Sequence, residues 1–115
     1  LEWAEQGLID AIQYDLLDYG IVKWIKLGER LARSGVHAAP HHYGVFYGNF
    51  ASAQAYPAIP GFMSVEWDEA QIPGIDASGY AIRDGVVTLP STPGFGLHLD
   101  EAYYEGKVRE SGWTV

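Results

Sequence analysis

Ile9-Asp10-Ala11-Ile12-Gln13-Tyr14-Asp15 and Val36-His37-Ala38-Ala39-Pro40-His41 are the two stretches whose reading decides the fold. The first is a short, mostly apolar run that enters after Gly7 and has the length of a strand rather than a helix. It predicts a buried strand ending near Asp15. Between the two runs, Ile21, Ile25, Gly28 and Leu31-Ala32 recur at helical spacing, while Lys23, Lys26, Glu29, Arg30 and Arg33 fall mainly on other faces. That pattern predicts an amphipathic helix over 21–34, with Glu29 and Arg33 placed for an i,i+4 ion pair. Ser34-Gly35 supplies the stop, and the second run then reads as another strand. Strand, helix and strand in close succession form a βαβ unit, which implies parallel strands and a right-handed crossover.

Working outward, Leu1, Ala4 and Leu8 form the tail of an amphipathic pattern with no capping residue before it, as at the end of a longer helix. Downstream, the aromatic and glycine-rich loop Tyr43-Gly44-Val45-Phe46-Tyr47-Gly48 leads into an expected helix through Asn49 to Tyr56, ended by Pro57 and Pro60-Gly61. A third apolar run, Phe62-Met63-Ser64-Val65-Glu66-Trp67, repeats the rhythm. Three strands joined by two helices are consecutive units of an α/β sheet or barrel. The remainder reads differently. Tyr80-Ala81-Ile82-Arg83, Asp84-Gly85 and Val86-Val87-Thr88-Leu89 predict a two-residue hairpin, 90–96 a rigid loop, and Asp100 to Lys107 a short helix. The division expected is 1–71 for the α/β part and 72–115 for the hairpin and tail.

The composition bounds the function. With 115 residues, 48% hydrophobic, the chain suffices for one packed domain. Fifteen acidic against seven basic residues give a net charge of -8, the wrong sign for neutralising phosphates, so no nucleic-acid partner is expected. The lack of cysteine excludes a disulfide framework and thiolate chemistry. No apolar run approaches the roughly 20 residues of a membrane span, and the opening LEWAEQ lacks the layout of a signal peptide. No membrane association and a cytoplasmic location are the expectation.

Each strand-like run ends in an ionisable residue: Asp15, His41 and Glu66. Chemistry in α/β barrels and open α/β sheets sits at the C-terminal ends of strands, where loops surround a pocket on rigid supports. The side-chain period of two puts Gln13 with Asp15, His37 and Ala39 with His41, and Ser64 with Glu66, while Ile12, Ala38, Met63 and Val65 take the opposite faces. Each residue also has a plainer reading. Asp15 can cap the following helix, with Asp18 competing for that role; His41 can be satisfied by backbone; Glu66 can open an acidic surface run with Asp68 and Glu69. His37 and His41, roughly 13 Å apart on an extended strand, are too distant to share a metal ion. His41 and His42 point to opposite faces of a continuing strand. No phosphate-cradling glycine loop or Gly-x-Ser-x-Gly elbow is present.

The ordered set of 12–15, the helix 21–34, Gly35-Val36-His37-Ala38-Ala39-Pro40-His41, Val65-Glu66, Asp84-Gly85 and Pro93-Gly94-Phe95-Gly96 resembles the C-terminal third of enolase-superfamily enzymes of the mandelate racemase and muconate lactonizing type. The resemblance implies about strands six to eight of a modified (β/α) TIM barrel, with a tail that packs with a capping domain. By position it implies that Asp15 and His41 form an Asp-His dyad and that Glu66 is the acid on the last strand. It implies Mg2+, whose carboxylate ligands would lie upstream, with no metal ligand in this chain. Asp15 would fix the His41 tautomer, and Glu66 would donate a hydrogen bond to the enediolate oxygen formed when the α-proton of a carboxylate leaves.

Dehydration of an acid sugar is the favoured reaction, because the polar His42, Tyr43 and Asn49 region suits a polyhydroxylated substrate; racemisation or epimerisation of a 2-hydroxy acid is the second. A truncated, non-catalytic interaction module is the third, with Trp67, Tyr103, Tyr104 and Trp113 marking a protein contact. A complete barrel needs about 250 residues. The expectation is therefore a C-terminal portion of a longer enzyme, inactive alone, whose partners are the rest of the barrel, the capping domain and, by resemblance, further copies in a homo-oligomer.

Overall fold

The structure, a computed structural model, describes residues 1–43, 46–69 and 71–112. The chain divides into two compact units, Leu1–Glu69 and Ala70–Val115.

In the first unit, α1 (Glu2–Glu5) precedes β1 (Ala11–Ile12), α2 (Leu16–Tyr19), α3 (Ile21–Arg33), β2 (His37–Ala38) and α4 (Tyr47–Ala55), the last running into a 3-10 turn at Tyr56–Ala58. β1 and β2 pair in parallel, Ala11 with His37 and Ile12 with Ala38, and the crossover between them is helical. The buried stripe of α3 is Trp24, Leu27, Gly28 and Leu31, at i, i+3, i+4 and i+7. This shifts the expected stripe: Ile21 and Ile25 lie half-buried at its edge and Ala32 is exposed. The ion pair of α3 also differs from expectation, because Arg30 reaches Glu5 of α1 and the Glu29–Arg33 pair is not formed. With Ile12, Leu16, Val36, Ala38, Ala51, Ala55 and Ile59, the α3 stripe makes the core. Gly28 is needed there, since a Cβ would lie 2.9 Å from the Pro60 carbonyl oxygen. α4 is buried on nearly all sides, which its run of Gly, Asn, Ala and Ser permits because small side chains let neighbouring backbone approach closely.

The ladder explains where the third strand fails. Parallel pairing turns alternate residues of a strand to opposite neighbours. His37, Ala39 and His41 donate to the carbonyls of Asp10, Ile12 and Tyr14 at 2.8, 3.0 and 3.1 Å. Ala38 faces the other way, donating to Gly61 at 2.9 Å and accepting from Met63 at 2.8 Å. The next residue facing that way is Pro40, which has no N–H. Pairing there stops at the single bridge Ala38 to Phe62, and 63–69 forms no strand. The expected strand 62–67 is corrected accordingly.

In the second unit, β3 (Ile75–Asp76) pairs antiparallel with β6 (His98–Leu99), and β4 (Ala81–Arg83) forms a hairpin with β5 (Val86–Thr88). Its turn is the one expected: Asp84 and Gly85 have φ of 51° and 75°, the left-handed pair that matches strand twist. Asp100 caps α5 (Glu101–Ser111) by accepting from the Tyr103 amide at 3.0 Å, so the helix begins as expected and runs a turn further.

Candidate active site

Asp15 and His41 are brought together by register. The offset that pairs Ala11 with His37 continues to a bridge between Asp15 and His41, so the two residues are direct neighbours across the parallel pair with side chains on one face. His41 N–H bonds to Tyr14 and the His41 carbonyl accepts from Leu16 N–H at 2.8 Å, which fixes both backbones at this end. The Asp15 carboxylate is divided. Its Oδ1 accepts from the amides of Leu17 at 2.9 Å and Asp18 at 3.2 Å, capping α2, while Oδ2 lies 3.4 Å from His41 Nδ1. Asp15 therefore both caps a helix and faces a histidine, roles the sequence presents as alternatives, and Asp18 is not the cap. Partial burial by itself pushes the Asp15 carboxyl up, but hydrogen bonds from Asp18 and Leu17 and the approach of His41 outweigh it and leave the group below the usual aspartate range.

With a carboxylate at Nδ1, the neutral imidazole of His41 carries its proton there and Nε2 keeps the lone pair. The His41 side chain is 47% exposed and that of Asp15 31%, so the pair stands at an open edge of the strand ends. This geometry gives a prediction. Asp15→Ala should cost about 1 kcal/mol of stability through the lost cap, whereas Asp15→Asn keeps a good cap and should cost much less. Because the folded-state pKa is lowered, the contribution of the Asp15 charge to stability is complete above the ordinary value of 3.8 and is lost as the pH falls through the lowered one. Thermal unfolding of both variants from about pH 5 down to about pH 2, which spans the ordinary aspartate value and the range below it, should show Asp15→Asn lacking part of the wild-type loss on the acid side.

Glu66 is held differently. Its Oε2 accepts from the backbone amides of His42 at 2.8 Å and Tyr43 at 3.0 Å, and Oε1 has no partner among the described residues. The offset of the Ala38–Phe62 bridge places Glu66 level with His42 rather than His41. Consecutive histidines thus divide as alternation requires: His41 faces out, and His42 is fully buried, its Nε2 donating to the Glu66 carbonyl at 2.5 Å. The substrate contacts expected of His42 and Asn49 meet a different arrangement. Asn49 is 2% exposed and spends its amide on the backbone of Asp68, donating at 2.6 Å and accepting at 2.8 Å. Tyr43 is exposed; Gly44 and Val45, in the same loop, lie outside the described residues, as does Trp113 of the expected protein contact. Nothing in the local sequence announces the clamps of His42 and Asn49; their signal is Pro40, which removes the ladder these side chains replace.

Among the described residues no group of three or more His, Asp or Glu is placed to hold a metal ion. The described residues therefore offer no metal centre of their own. Among them, too, no helix is long and apolar enough to cross a membrane.

Residues 1–103 match the family described as enolase C-terminal domain-like. The chain belongs to that family. Its first unit is mixed α/β, as befits that family. Among solved structures, this enolase-family chain is similar to a galacturonate dehydratase variant from Geobacillus sp. complexed with Mg, at 42% identity and a TM-score of 0.90 over 97% of this chain and 29% of that one. A mandelate racemase/muconate lactonizing protein from Geobacillus sp., complexed with magnesium and tartrate, gives the same values. Galacturonate dehydratase from Geobacillus sp. complexed with D-galacturonate and 5-keto-4-deoxy-D-galacturonate matches equally, over 30% of its length. The chain thus spans under a third of the proteins it resembles. No curated protein matches it.

Proposed function

We propose that this chain supplies the proton-transfer residues of an acid-sugar dehydratase, a lyase of the enolase superfamily, and that it forms about strands six to eight of a modified (β/α) barrel with a tail, 72–115, that packs with a capping domain. The observation that carries the reading is the registered Asp15–His41 pair at an open strand end, with Nε2 left as the base. Its chemistry suits the α-proton of a carboxylate, which is weakly acidic and needs a base held in place before it will leave. His41 Nε2 takes that proton, and the C–H electron pair passes into an enediolate. The hydroxyl on the next carbon departs with the proton His41 returns, so one water is lost and the enol product becomes a ketone. Asp15 stabilises the imidazolium between the two transfers. Glu66, its Oε2 held by two amides, donates a hydrogen bond from Oε1 to the enediolate oxygen, and exposed Tyr43 contacts the polyhydroxylated chain.

The 42% identity to a galacturonate dehydratase supports dehydration over racemisation of a 2-hydroxy acid. Mg2+, present with the neighbours, is proposed for the complete enzyme with ligands other than the residues described in this chain. The complete protein is proposed to be a cytoplasmic homo-oligomer. The test is product analysis by the complete polypeptide with Mg2+ and a panel of acid sugars. A keto-deoxy acid is the expected product; inverted configuration without loss of water would assign racemisation instead, and neither product would sink the reading.

A further inference from the structure

We propose that Asn49 and His42 are positioning residues for Glu66, setting its carboxylate in place of the backbone ladder that Pro40 interrupts. The inference rests on the reading of Glu66 given above and concerns what holds it. A residue at a strand end is placed to fractions of an ångström because the ladder fixes the backbone on both sides. Glu66 has no such ladder, since 63–69 forms no strand. Three consecutive residues of the segment are gripped instead from one side. The Glu66 carbonyl accepts from the buried His42 ring, the Trp67 ring lies edge-on to buried Phe50 at 6.1 Å, and both backbone groups of Asp68 are bonded to the Asn49 amide. The Glu66 side chain closes the circuit by accepting from the His42 and Tyr43 amides.

The His42 and Asn49 side chains are buried while 66–68 is half-buried, so drift of the segment would leave buried polar atoms of both side chains without partners. Gly48 sets the His42 ring: a Cβ there would lie 2.5 Å from the His42 Cβ and Cγ and 2.6 Å from Nδ1. The His42 Nδ1 atom, buried without a partner among the described residues, leaves the ring one bond there, that of Nε2 to the Glu66 carbonyl. Neither side chain offers a polar atom to a substrate from such burial. Their effect passes through Glu66.

The test is a double-mutant cycle in the complete polypeptide. Asn49→Asp keeps the acceptor for the Asp68 amide but sets a second oxygen against the Asp68 carbonyl. It should lower kcat about 10- to 100-fold, the scale of a displacement near 1 Å in a reacting group, with KM changed less than about threefold. In a Glu66→Ala background, which removes both the acceptor and the donor, the same change should lower kcat less than about twofold. An equal loss in both backgrounds, or a loss confined to KM, would overturn the proposal. Should Asn49→Asp fail to fold, His42→Leu, which removes the bond to the Glu66 carbonyl, is put through the same cycle with the same expectation. If Glu66→Ala alone retained full kcat, the failure would lie with the role of Glu66 itself.

Discussion

His41→Asn should abolish turnover of an acid sugar by the complete polypeptide, lowering kcat by about 10²- to 10⁴-fold, the usual worth of a positioned general acid or base. Asparagine fills similar space and can still donate to the Asp15 carboxylate, so the strand ends should stay in place. What it lacks is a nitrogen that takes and returns a proton near neutral pH. The loss should appear in kcat with substrate affinity retained, because His41 acts on the proton and not on the bulk of the ligand. Asp15→Asn should be milder in stability and still impair turnover, since an amide can orient the imidazole but gives less support to the imidazolium. Full kcat in His41→Asn would remove the dyad from the reaction.

Trp24→Ala should be the costliest core substitution in the first unit. Trp24 is fully buried on the inner stripe of α3, with Tyr19 edge-on at 6.0 Å and Tyr14 at 6.3 Å. Removal of so large a side chain costs about 3–5 kcal/mol through lost transfer energy and the cavity left behind. Trp24 Nε1 is buried without a partner among the described residues, so deleting it relieves a small penalty and places the outcome toward the lower end. Tyr14 and Tyr19 flank Asp15 in sequence, so the substitution should also reduce activity at temperatures below unfolding. Chemical unfolding of the complete polypeptide measures the first effect, and a cost below about 1 kcal/mol would place Trp24 outside the core.

What was legible in the sequence divides along physical lines. The βαβ unit was readable because period-two and period-3.6 patterns are local, and the 84–85 turn because its two positive φ angles demand Asp-Gly chemistry. Parity put Asp15 and His41 each on the polar face of its own run, the resemblance implied that they pair, and the structure brings the two within 3.4 Å. The third strand was misread because its run has a strand's composition, while its pairing depends on which edge of the neighbouring run faces it. Pro40 sits on that edge, a fact that emerges only with the register. α2 was missed because four residues carry too little periodicity; its marks are the Asp15 cap and Gly20 at φ 90°. His42 and Asn49 looked like substrate contacts because polar residues near a strand end are so often exposed, and their burial depends on how α4 packs.

The most direct test of the account follows the α-proton itself. The complete polypeptide and its His41→Asn variant are incubated with an acid sugar in D2O, and the proton on the carbon beside the carboxylate is followed by NMR. The signal should decay with the wild-type protein and persist with the variant. Decay at the same rate with both would contradict the role proposed for His41.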